Sequence, residues 1–160
     1  MQTSSKHPLV PNLFHQQSFI ELLNYICLYS DDKCYCFKIY GCEGLYSFEC
    51  TVSRIEKLRI PSVYRVHSVC GDVELTIEMH RELMSINEND KIKVDIVLEK
   101  EKCLQHEFCG RGHVVSTSLI EDKYRVVISI GGLLVVVKKL SEEPRLEPVQ
   151  ELFVGLTILK

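Results

Sequence analysis

No apolar run in this 160-residue chain approaches the ~20 residues that a bilayer-crossing helix requires. A secretory leader is also missing. The apolar stretch Phe19–Tyr29 contains Glu21 and Asn24, and it has neither a basic start nor a small-residue cleavage site. Without an export route, the eight cysteines are expected to stay free thiols in a reducing compartment rather than to pair as disulfides. A soluble, intracellular protein with no membrane association is expected. The formal net charge of -3 is small for this length, so the chain as a whole attracts neither nucleic acid nor anionic lipid. Any such binding needs a local patch.

Signatures of chemistry are missing as well. There is no Gly-x-Ser-x-Gly, no Walker-type glycine loop and no His-Glu-x-x-His. Gly110-Arg111-Gly112 lacks the following glycine and the helix N-terminus that would hold a phosphate. The paired carboxylates Glu142 and Glu143 lie beside Pro144 in what reads as a solvated loop, and such a run has no cleft to shift a pKa. No two cysteines have the Cys-x2–4-Cys spacing usual for zinc. Cys34-x-Cys36 with Cys42 and Cys50 is the nearest approach, and His106 with Cys109 is the other close pair. Buried small hydrophobes are the simpler account of these thiols. The sequence thus predicts no catalytic residue, no metal site and no cofactor.

What remains is a folding pattern. About half the residues are apolar (46%) and 26% are charged, enough to build a core in one ordinary domain with room for an extra segment. The chain divides near Gly44. Residues 1–43 are poor in charge, and Pro8 and Pro11 mark an irregular start. Ser18 is placed to cap a short helix with Phe19, Leu22, Leu23 and Ile26 on one side. Cys34–Tyr40 then reads as a short strand. This N-terminal extension, partly helical or disordered, is either a real addition or translated from upstream of the true start.

From Gly44 the period becomes two, the mark of strands with one buried face. Tyr46, Phe48 and Cys50 alternate with Ser47 and Glu49. Val73, Leu75, Ile77 and Met79 alternate with Glu74, Thr76, Glu78 and His80, the clearest case in the chain. Ile92, Val94 and Ile96 alternate with Lys93 and Asp95, after a turn signal at Asn89-Asp90. Further strands are expected at Ser62–Val69, His113–Ser118, Tyr124–Ile130, Leu133–Leu140 and Phe153–Leu159. Many short strands at this spacing predict an all-β, closed or nearly closed antiparallel barrel over residues 44–160.

Two local features stand out on that barrel. Gly131-Gly132 separates two β-branched or aliphatic runs, and two glycines permit the positive φ of a tight hairpin turn. The alternative is a glycine bulge where a partner's backbone comes close. Arg54, Lys57, Arg59 and Arg65 form a basic cluster with Tyr64 among them and only Glu56 opposing. A positive groove with a stacking aromatic is how barrels of the OB type hold single strands. The simpler reading is a charged connection between two strands.

At these residues the chain resembles a family. Ser129-Ile130-Gly131-Gly132-Leu133-Leu134 is similar to the Ser-aromatic-Gly-Gly-Leu-Leu-Met signature of the small OB-like subunit shared by nuclear RNA polymerases I, II and III, the eighth subunit in the polymerase II series. Leu45–Val52, Val63-Tyr64-Arg65-Val66-His67, Leu75-Thr76-Ile77-Glu78, Asn89-Asp90-Lys91-Ile92 and Phe108–Val115 follow in the family's order, so the resemblance covers residues 44–160. Ile130 stands in place of an aromatic, Val135 in place of methionine, and Arg111 where an aromatic precedes Gly112. The long acidic loop of the family is reduced to Glu99–Glu107, and residues 1–43 have no counterpart.

The resemblance implies an OB-like barrel of about eight strands, a non-catalytic structural subunit of nuclear DNA-dependent RNA polymerases. It would dock on the largest subunit, with Gly131, Gly132, Leu133 and Leu134 in the region needed for assembly. It also implies a weak contact with single-stranded DNA over about Glu56–Ile77, which overlaps Arg54, Lys57, Arg59, Tyr64 and Arg65. A free-standing single-stranded nucleic-acid-binding barrel is the alternative.

Overall fold

The structure is a computed structural model and describes residues 25–30, 33–38 and 45–160. The chain divides into two compact units, Met1–Cys42 and Glu43–Lys160. In the first, β1 (Tyr25–Ser30) and β2 (Lys33–Lys38) pair antiparallel, with Cys27 opposite Cys36. The helix expected to reach Ile26 therefore gives way to strand at that residue. The run Tyr-Ile-Cys-Leu-Tyr is rich in β-formers, and a short helix has little stability of its own to set against strand pairing. Ser18 to Leu23 lie outside the described residues.

The second unit is almost entirely β. Eight strands close into an antiparallel barrel: β3 (Tyr46–Lys57), β4 (Val63–Cys70), β5 (Val73–His80), β6 (Lys91–Val97), β7 (Phe108–Ile120), β8 (Lys123–Ile130), β9 (Leu133–Leu140) and β10 (Glu151–Leu159). They run around the wall in the order β10-β6-β3-β4-β5-β9-β8-β7, and β7 closes on β10 with Val154 opposite Gly110. The all-β barrel expected from the period-two pattern is present. The alternation turns Leu75, Ile77 and Met79 inward from β5 and Ile92, Val94 and Ile96 inward from β6. Val52, Val66, Ile128, Leu152 and Leu156 complete a fully buried centre. Burying each such aliphatic side chain contributes about 1.5–3 kcal/mol before entropy is counted. The ladder shifts register between Val52 and Arg54, between Val114 and Ser116, and between Tyr124 and Val126. Bulges of this kind add the local bend that closure requires.

Three differences from expectation concern details. β3 and β7 are much longer than their periodic cores, because each pairs along its length with two different neighbours, β3 with β6 and then β4, and β7 with β10 and then β8. A short helix, α1 (Lys100–Cys103), interrupts the Glu99–Glu107 segment. The thiols are not all free: Cys50 is bonded to Cys70, and Cys103 to Cys109. Cys50 and Cys70 are 20 residues apart in sequence, but the β3–β4 register that sets Thr51 opposite Val69 brings them face to face. Compartment-based reasoning could not foresee that proximity. The pairing also removes Cys50 from any cluster with Cys34, Cys36 and Cys42. Cys34 and Cys36 lie in β2, and Cys42 lies outside the described residues.

Candidate docking surface

Gly131 and Gly132 make the two-residue turn between β8 and β9, with Ile130 opposite Leu133. Both take positive φ, 57° and 95°, which fits a tight hairpin turn rather than a mid-strand bulge. An added Cβ at either would meet open space. The glycines thus serve backbone conformation, and the turn leaves Leu134 on the outer surface.

This turn is tied to the basic cluster by a polar chain across four strands. The Leu134 backbone N–H donates to Glu78 Oε2 at 3.0 Å. Arg65 donates to the other oxygen, Glu78 Oε1, at 2.7 Å, and its second nitrogen lies 3.6 Å from Glu56 Oε2. Glu56 also accepts from His67 Nε2 at 2.9 Å, and Arg54 stands 3.8 Å away. From β9 through β5 and β4 to β3, the two features singled out in the sequence share one outer face. The hydrogen bond from His67 and then the charges of Arg65 and Arg54 hold the Glu56 carboxyl below its ordinary value. The hydrogen bond to Glu78 raises Arg65.

The basic cluster itself divides. Arg65 is neutralised by Glu78 and Glu56, and Arg54 lies beside Glu56 and His67. Tyr64 is 2% exposed, so its ring is not an open stacking platform. Its hydroxyl donates to the Met84 carbonyl at 2.6 Å and accepts from the Ile86 N–H at 3.0 Å, and burial pushes its pKa up. Lys57 and Arg59 are exposed and have no ion pair among the described residues. Glu78 and His67 escaped sequence reasoning as part of this surface. Glu78 is 13 residues from Arg65 in the chain, and only the β4–β5 register places it opposite.

A second polar constellation pins the loop between α1 and β7 to the barrel. His106 lies on Gly155, and its two nitrogens are 2.9 Å from Asp95 Oδ2 and 3.0 Å from Thr157 Oγ1. Ser47 Oγ donates to the other Asp95 oxygen at 2.6 Å. Cys103–Cys109 closes the same loop. His106 and Cys109, a close pair in the sequence, are thus divided between a hydrogen-bonded pin and a disulfide.

Known proteins resemble this barrel at low identity. The DNA-directed RNA polymerase subunit Rpo8 of Saccharolobus shibatae is 25% identical over 91 residues, covering 54% of this chain and 70% of that protein. Rpo8 of Saccharolobus solfataricus is 26% identical over 91 residues, covering 54% and 69%. A solved structure of the molybdate-binding protein ModG aligns with 75% of this chain and 93% of its own at 15% identity. Its TM-score of 0.28 is too slight a likeness to argue from. The RpbG family of DNA-directed RNA polymerase subunits matches residues 45–157. The match begins at the foot of β3 and ends within β10, and on that ground the chain belongs to the RpbG family of DNA-directed RNA polymerase subunits.

Proposed function

We propose that the chain is a non-catalytic structural subunit of a DNA-dependent RNA polymerase and docks on the largest subunit through the Gly131–Leu134 turn. One observation carries this reading: the family match over residues 45–157 coincides with the closed barrel. A rigid hairpin tip with an outward Leu134, braced by Glu78, suits an anchor that must hold its shape before the partner arrives. Catalysis then belongs to other subunits, and the protein works wherever its polymerase meets the chromosome, in a nucleus or a nucleoid. Sharing among polymerases I, II and III in a nucleus is the finer form of this proposal. The archaeal source of both Rpo8 relatives favours a nucleoid enzyme over it.

The experiment is affinity purification of the tagged full chain. Core polymerase subunits should co-purify, and replacing Leu134 with Asp should release them while the barrel stays folded. Recovery of the tagged chain without any polymerase subunit would defeat the proposal.

A weak contact with single-stranded DNA is a secondary proposal, now resting on exposed Arg54, Lys57 and Arg59 rather than on Tyr64 or Arg65. A free-standing single-strand-binding protein would bind tightly and with steep salt dependence, because neutralised phosphates release counterions. Neutral substitutions at those three positions would abolish such binding.

A further inference from the structure

A cavity of about 480 Å³ opens beside the β8–β9 pair, with Lys123, Tyr124, Arg125 and Lys138 among its walls. Glu74, on the neighbouring part of β5, is four residues from the Glu78 of the docking face. That is roughly 13 Å along the strand, so the two sites are distinct. The cavity owes its lining to an irregularity. Pairing passes from Tyr124 opposite Leu140 to Val126 opposite Val137, so β9 has one residue more than β8 there. In a regular strand, consecutive side chains point to opposite faces. Here Lys138 and Lys139 both line the same cavity, and Lys139 takes the left-handed φ of 64°. A lysine adopts that conformation only at a cost, and such residues gather where the strained shape is used.

The electrostatics are unbalanced. Lys139 donates to Glu74, and Lys138 is near enough to help hold that carboxyl below its ordinary value. Glu121 is the carboxylate in the wall itself, and Glu74 lies next to it through Lys139. Four cationic side chains therefore face two carboxylates, leaving two positive charges in excess on a chain whose net charge is -3. Arg125 Nε is buried and has no hydrogen-bond partner among the described residues. A wall that holds Lys123, Arg125 and Lys138 with positive charge in excess calls for an oxyanion. A peptide carboxylate offers its charge alone, whereas a nucleotide joins phosphate oxygens that suit a planar guanidinium and two lysines to a flat base. Half-buried Tyr124 and exposed Ile120 add an apolar wall, and the volume lies in the range of small-molecule sites.

We propose that this cavity binds the phosphate of a nucleotide, free or within a single strand, through Arg125, Lys123 and Lys138, with the base against Tyr124 and Ile120. The test uses the full chain with ADP, oligo(dT), adenosine and polyglutamate as probes, followed by calorimetry or anisotropy at low and high salt. At least one phosphate-bearing probe should bind saturably, and more weakly as salt rises. Binding of ADP alone identifies a free nucleotide, and binding of oligo(dT) alone identifies a strand. Arg125→Gln should weaken the affinity by about tenfold or more, the loss expected for one charge-assisted hydrogen bond. Lys123→Gln and Lys138→Gln should weaken it too, and Lys91→Gln, at an exposed position on β6, should not. These two lysines are exposed, so their variants fold even if Arg125→Gln does not. No saturable binding of either phosphate probe overturns the proposal. So does unchanged affinity in both lysine variants, adenosine competing as well as ADP, or polyglutamate binding more tightly than either.

Discussion

Adding one methyl group at Gly155 should release the loop between α1 and β7. A Cβ there would fall inside contact distance of His106 Cδ2 and only 2.7 Å from Cγ. The φ of Gly155 lies outside the left-handed region, so alanine meets no backbone strain and the whole cost is the collision. The ring cannot step aside freely, because Asp95 and Thr157 hold it at 2.9 and 3.0 Å and its side chain is 9% exposed. Moving it gives up one hydrogen bond to a carboxylate and one to a hydroxyl, about 2–4 kcal/mol together. Keeping it in place costs about 1–3 kcal/mol in overpacking. Gly155→Ala should therefore lower stability by about 2–3 kcal/mol, a fall in Tm of roughly 8–12 °C for a barrel of this size. The assay is a double-mutant cycle with His106→Ala, read by thermal and urea unfolding. Once the imidazole is gone, Gly155→Ala should be neutral or should stabilise by up to about 1 kcal/mol, as alanine usually does over glycine within a strand. Equal destabilisation in both backgrounds would refute the steric account, because the cost would then not come from the ring.

Gly131→Val should cost about 1–2 kcal/mol by forcing a β-branched residue to a φ of 57°, and Gly131→Asn about half of that. Equal melting temperatures for wild type and Gly131→Val would contradict it. Glu56 and Glu74 both have carboxyls held below the ordinary 4.5. Their contribution is fully present above 4.5 and is lost as pH falls through the lower folded values. Wild type should therefore lose stability on acidification below 4.5, and the Glu56→Gln, Glu74→Gln double variant should lose less. An identical acid profile for the two would count against these pairs. Loss of the Cys50–Cys70 bond, which spans 20 residues, should cost about 3 kcal/mol by chain entropy. Reductant should lower the Tm of wild type towards that of Cys70→Ser, and a wild-type melt unmoved by reductant would refute it.

Most of the barrel could be read from the chain because its signal is local. Val73–His80 alternates without a break, and the strand has those bounds. Leu133–Leu140 likewise matches, and Gly131-Gly132 announces the turn between its neighbours. Alternation alone reaches only His113–Ser118 of β7, because Phe108–Gly112 contains two glycines and has no steady alternation. The surface proposed for docking is half legible. The glycine turn and the basic residues stand out by type, but whether a cation is free depends on its cross-strand neighbour. The charge of Arg65 is compensated by Glu78, and Tyr64 turns from a stacking platform into a buried hydrogen-bonded post, because of the β4–β5 register and the Met84–Ile86 segment.

The sequence by itself determined an all-β barrel, and it offered Gly131-Gly132 as a place for a tight turn. Period-two burial and positive φ are properties of a few adjacent residues. Only the tertiary structure decided which cysteines meet, that His106 pins a loop on Gly155, and that Lys138 and Lys139 share a cavity with Arg125. Those contacts arise from barrel closure and from one extra residue in a ladder. Register is a collective outcome of many strand pairings, and no window of neighbouring residues records it.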